Sequence, residues 1–292
     1  MAAQTHTAQH SAALLELRNI QKRFGGVHAL RGIDLTLQPG EAYHLLGENG
    51  CGKSTVIKIM SGAHAPTSGE IILDGETFSS LTPIQSLAAG IETVYQDLSL
   101  LPNLTVAENV ALNEQLVNGN GRLLRLFDRK RLKETAERAL AAAGLPTDRT
   151  FLNTIVSDLP LASRQLVAIA RAIATRAKLV IMDEPTTSLT RREVDNLIRV
   201  VERLRSENVA VLFVTHEVDP VLPYVDRVLY LVDGRFRIGT VEEVMTSETL
   251  SELYRSDIEV VKVGRRYIVV GEQSQYHHDH DHTDGSGGHT HE

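Results

Sequence analysis

Short apolar runs alternate along the chain with stretches of helical periodicity. Leu179 to Met182, Val209 to Val214 and Val228 to Val232 are nearly all apolar and of strand length, as expected of strands buried on both faces of a sheet. Tyr43 to Leu46 predicts another strand, running into a glycine-rich stretch. Helix signals fill the intervals: Lys53 to Met60, stopped by Ser61-Gly62; Pro160 to Arg176; and Arg191 to Arg205. Strands alternating with helices imply an α/β fold with a mainly parallel sheet. The front of the chain differs, because Leu15 to Gln38 alternates at strand period around turns at Gly25-Gly26 and Pro39-Gly40, which predicts an N-terminal antiparallel β subdomain. Glu70 to Leu73 and Ile91 to Tyr95 read as strands, the second ending at Gln96. From Val106 to Ala143 the period is helical, broken around Asn118 to Gly121 and stopped by Gly144 and Pro146, so a helical subdomain over about 97–176 is inserted in the sheet.

The stretch Gly47-Glu48-Asn49-Gly50-Cys51-Gly52-Lys53-Ser54 fits the pattern G-x-x-x-x-G-K-[ST] between a strand and a helix, the context that gives the pattern its meaning. Its glycines let successive N–H groups converge on one anion, and the helix adds its positive end. Lys53 is then a point charge for the outer phosphates of a nucleotide, and Ser54 a magnesium ligand, with Thr55 in the same first turn. Cys51 needs only to be small there. The helix end could also lower its thiol pKa and make it reactive. At the end of the run Leu179 to Met182 stand Asp183 and Glu184: one carboxylate to hold magnesium, the other to polarise a water.

Taken together these motifs resemble the ATP-binding subunit of an ABC transporter, from about Leu15 to Val241. The resemblance implies a P-loop ATPase core over 14–271, ATP and Mg²⁺ as ligands, and transmembrane permease subunits as partners. It also implies a second ATPase, as homodimer or heterodimer, and an extracytoplasmic solute-binding protein. By the same resemblance Phe24 stacks on adenine, the alternative being an edge-strand aromatic in the core. Gln96 reaches magnesium and the attacking water, and His216, after Val211 to Thr215, touches the γ-phosphate. The catalytic set is thus Glu184, His216, Gln96 and Lys53. Gly47, Asn49, Gly50, Cys51, Gly52, Lys53, Ser54 and Thr55 line the phosphates, and Ser54, Gln96 and Asp183 face Mg²⁺.

The family's signature, usually Leu-Ser-Gly-Gly-Gln, falls on Leu159, Pro160, Leu161, Ala162 and Ser163. Pro160 removes a hydroxyl and an N–H from a segment that closes over the partner's ATP, while suiting the start of a helix. Slow turnover as a homodimer, a heterodimer with a consensus partner, and a catalytically weak partner subunit all follow from it. Thr190 stands where many members have aspartate. The stretches Val94 to Asn109 and Thr186 to Val194 resemble ATPases that import simple sugars, many of which fuse two cassettes; here there is one. Thr249 to Val269 instead resembles the end of metal or metal-chelate importer ATPases. A soluble ABC ATPase acting outside transport is the reading from another class.

Composition trims these readings. Hydrophobic content of 42% and charged content of 23% are ordinary for a globular protein. No apolar run reaches the ~18 residues of a bilayer span. A polar start over residues 1–13, expected to be flexible and unlike a secretion signal, and a single cysteine suit a cytoplasmic protein lying on the inner face of the membrane. The net charge is −7, of which five acids beyond Gly271 supply −5. The nearly neutral remainder offers no electrostatic footprint for nucleic acid. Residues 272–292 read as a disordered His/Asp-rich tail. His277, His278, His280 and His282, interleaved with Asp279 and Asp281, are spaced to chelate zinc or nickel, or simply to keep the tail in water.

Overall fold

The computed structural model describes residues 13–95, 99–118, 129–186, 189–216, 221–264 and 266–271, with side chains beyond 114 in the third helix excluded. In chain order the elements begin with β1 (Leu15–Phe24), β2 (Val27–Leu37), β3 (Ala42–Leu46), α1 (Lys53–Met60), β4 (Ser68–Leu73), β5 (Glu76–Phe78), α2 (Pro83–Ala88) and β6 (Ile91–Val94). There follow α3 (Val106–Asn118), α4 (Arg129–Ala142), α5 (Arg149–Leu152), α6 (Leu161–Ala174), β7 (Leu179–Asp183), α7 (Arg191–Ser206) and β8 (Ala210–Val214). The chain continues through β9 (Arg227–Val232), β10 (Arg235–Gly239), α8 (Val241–Val244), α9 (Ser247–Tyr254), β11 (Ile258–Val263) and β12 (Arg266–Gly271).

Among the described residues β2-β1-β4-β5 form an antiparallel sheet, and β10-β9-β3-β8-β7-β6 a second sheet in which only β10 runs antiparallel. Tyr43 and Leu45 point from β3 towards α1 and the antiparallel sheet, sharing one core with Leu15, Ile20, Leu35 and Ile57. Val211 and Phe213 point the other way, into a core with α6 and α7. The helices α3, α4 and α6 enclose a third cluster around Val110, Ala139 and Val167, which is the expected helical insertion. Burial on both faces explains why the central strands read as apolar runs.

The structure adds several short elements to those expected from the sequence. Helix α2 carries a capping box, with the Gln85 backbone N–H donating to Thr82 Oγ1 and the Gln85 side-chain Oε1 accepting from Thr82 N–H, and proline at its start. The hairpin β11–β12 pairs alternating residues around Gly264, and its inner side packs with α8 and α9 against β9. Strand β6 ends at Val94 rather than Tyr95, and helix α6 begins at Leu161 with Pro160 as its cap. No helix among the described residues is long and apolar enough to cross a membrane.

Candidate active site

Strands β3, β8, β7 and β6 lie side by side and parallel, so their carboxyl ends share one edge, where ligands of open α/β sheets collect. From β3 emerges the glycine loop. Gly47 takes φ +149° and Gly52 φ +116°, values that side chains resist. Space forbids a side chain as well: a Cβ at Gly47 would lie 2.2 Å from the Leu231 carbonyl oxygen, and one at Gly52 2.8 Å from that of Ala29. The loop is therefore pressed onto β9 and β2 and must curl. Lys53, 7% exposed, folds back so that its Nζ donates to the carbonyls of Gly47 at 2.5 Å and Glu48 at 2.8 Å. The ammonium thus sits inside the curl, while Glu48, Asn49, Gly50 and Ser54 are exposed at its rim. A loop held in a tight curl against β9 and β2, with a cation inside the curl, fits a polyanion such as a triphosphate.

Two neighbouring strands supply the acid and the imidazole. Asp183 closes β7 and pairs with Val214 of β8. Glu184 follows in a left-handed conformation, φ +51°, its N–H donating to the Val214 carbonyl at 2.8 Å. That turn, unfavourable for a non-glycine residue, brings a Glu184 carboxylate oxygen to 2.8 Å from His216 Nδ1 just beyond β8. The sequence named both residues but not their contact. Ser54 and Thr55 open α1, with Thr55 N–H donating to Gly52 O at 3.0 Å. Ser54, Asp183 and Glu184 offer oxygen donors of the kind magnesium takes, so the residues present suit that ion.

Other expected members fall variously. Phe24 is 44% exposed at the tip of β1, in edge contact with His64 and under the Lys22 ammonium, so the core-aromatic alternative fails. Gln96 and the tail histidines His277, His278, His280 and His282 lie outside the described residues. Among the described residues no three or more His, Cys, Asp or Glu side chains gather to hold a metal by themselves. In the signature segment Leu159 is buried and Pro160 exposed, with Leu161 36% exposed. Arg164 N–H donates to Pro160 O at 3.0 Å, so the helix starts intact without a capping side chain. Thr190 heads α7, its N–H and hydroxyl both donating to the Glu193 carboxylate.

The reactive-thiol reading of Cys51 is corrected. The side chain is 7% exposed, and burial pushes its pKa up, outweighing the pull of Lys53. Maleimide labelling of Cys51 at pH 7 is expected to run at least about tenfold slower than that of a free thiol and to quicken as pH rises. Labelling at the rate of free cysteine, followed by mass spectrometry, would contradict this burial.

Comparison with known proteins places the molecule. The ribose import ATP-binding protein RbsA 2 of Burkholderia pseudomallei is 44% identical over 245 residues, covering 81% of this chain and 45% of that protein. The chain thus spans about half the length of the curated relatives it matches. An ATP-binding cassette of an ABC transporter in its ADP conformation shares the fold at TM-score 0.72 and 24% identity, over 84% of this chain and 99% of its own. A dimeric post-hydrolysis cassette bound to ADP and Pi superposes at TM-score 0.67 and 27% identity, over 78% and 98%. The ABC transporter family profile matches residues 30–187. Since that match takes in more than half of the chain, the glycine loop and the paired carboxylates included, the chain belongs to the ABC transporter family.

Proposed function

We propose that the chain is the ATP-hydrolysing cassette, over 14–271, of an importer for a small solute, a sugar of the ribose type, docked on the inner face of a membrane permease. The observation that carries the catalytic part is the Glu184–His216 contact of 2.8 Å at the same sheet edge as the glycine loop. The loop amides and Lys53 bind and orient the phosphates. Ser54, Asp183 and Gln96 would hold Mg²⁺, which when bound neutralises phosphate charge. Glu184 accepts the proton of the attacking water, and His216 fixes that carboxylate and reaches the γ-phosphate. Phe24 supports the adenine. The cargo class rests on the ribose import relative. The metal-chelate reading draws on Thr249 to Val269 and on the tail histidines, which lie outside the described residues, and the non-transport reading has no feature of its own.

Pro160 bears on assembly. ABC cassettes of this kind work in pairs, and a solved cassette of the same fold is a dimer, so a second cassette, the same chain or another, completes the site, with a solute-binding protein upstream of the permease. Proline at the signature leaves the facing phosphate short of a hydroxyl. Pro160→Ser is expected to raise ATP turnover of the chain alone about fivefold, the worth of one recovered hydrogen bond of ~1 kcal/mol. An unchanged rate in a phosphate-release assay would remove the weakened signature as the limit on turnover. Co-purification of the chain with an integral membrane permease, and ribose-type uptake by vesicles holding both, tests the transport reading; association with nucleic acid or ribosomes instead would contradict it.

A further inference from the structure

His44 lies in β3, on the face opposite Tyr43 and Leu45, and is fully buried. Burial pushes its pKa down to about 3, so the ring is neutral at neutral pH. Nε2 is 2.9 Å from Thr215 Oγ1, and Nδ1 has no hydrogen-bond partner. Leaving a lone pair bare costs less than leaving an N–H bare, which places the proton on Nε2 and makes His44 the donor to Thr215. A leucine would fill similar volume without the cost of an unsatisfied nitrogen, so the hydrogen bond is the feature that distinguishes histidine here.

That bond falls at a particular place. The β3–β8 ladder ends with Leu45 opposite Val214. One residue beyond it, Thr215 N–H donates to Leu45 O at 3.2 Å, and its hydroxyl accepts from His44. Thr215 is therefore gripped twice by β3, the strand that runs directly into the glycine loop, and the next residue is His216, 2.8 Å from Glu184. We infer that His44 is a positioning residue for hydrolysis: it fixes Thr215, and through it the departure of His216 towards Glu184, in register with the phosphate-binding loop. This rests on the roles proposed above for Glu184 and His216.

The test uses the full-length chain and single-turnover MgATP hydrolysis. His44→Leu and Thr215→Val, each checked for a cooperative melt, should each lower the maximal rate about tenfold, with half-saturating MgATP unchanged within twofold. His44→Gln, whose amide nitrogen reaches the place of Nε2, and Thr215→Ser, which keeps the hydroxyl, should stay within about threefold of wild type. The double variant His44→Leu with Thr215→Val should be no slower than either single one. Amide hydrogen exchange at Thr215 and His216, which needs no turnover, should quicken in His44→Leu and not in His44→Gln. A wild-type rate in His44→Leu, additive losses in the double variant, or equal amide protection in all chains would overturn the inference. Glu184→Gln separates the two layers: if it hydrolyses normally, the site reading fails, and if it is inactive while the His44 variants are normal, only this inference fails.

Discussion

Replacing Glu184 by glutamine is expected to stop hydrolysis while leaving nucleotide binding intact. The exchange keeps the shape of the side chain, and a glutamine carbonyl oxygen can still accept a hydrogen bond from His216 Nδ1, which lies 2.8 Å from the carboxylate. On the role proposed for Glu184, what is lost is the capacity to take a proton from water. A general base contributes roughly 10²–10⁴-fold to the rate, so the rate constant should fall by that factor with the MgATP dissociation constant unchanged within twofold. Phosphate release and equilibrium binding on the same preparation check both halves. A fall of less than tenfold would move the base elsewhere. The left-handed backbone at Glu184 offers a reason why such a residue stands there at all: the turn is unfavourable for a side chain, yet it is what carries the carboxylate onto the imidazole.

Gly47→Ala is expected to abolish the cradle. A Cβ there would stand 2.2 Å from Leu231 O and 2.7 Å from Cys51 Sγ, both fixed by β9 and the loop, so the backbone must move. Strain of roughly 2–3 kcal/mol corresponds to about 100-fold weaker MgATP binding, with a lower melting temperature because β9 is disturbed too. Gly50→Ala provides the contrast. At that position φ is +82°, but a Cβ would meet nothing within 4 Å, so conformational strain alone remains, worth ~1 kcal/mol and roughly fivefold in affinity. Calorimetric titration of the two variants distinguishes contact from strain. Equal losses in both would mean that the wall formed by Leu231 does not shape the site.

Much of the architecture is legible because local signals and burial agree. Helix α1 has the bounds that its apolar period and the Ser61-Gly62 stop predict. The central strands are apolar because both faces are covered. The short elements α2 and β11–β12 also had signals, a capping box and period-two alternation around Gly264, but too few residues for periodicity to stand out. What the sequence could not carry is register. Glu184 and His216 are 32 residues apart, and their contact depends on Asp183 pairing with Val214 across β7 and β8. His44 reads as one polar residue in an apolar strand until β8 places Thr215 beside it. At Cys51 the helix end and Lys53 favour the thiolate, but burial opposes it more strongly and sets the direction.

A nucleotide's phosphates, on this account of the molecule, lie in the loop that curls around Lys53. Titration of the folded full-length chain with MgATP, beside the Lys53→Ala variant, tests this most directly. One saturable site per chain, lost or weakened about 100-fold or more without the Lys53 ammonium, is the expected result. Saturation with equal affinity in both chains, or none in the folded wild type, would contradict it.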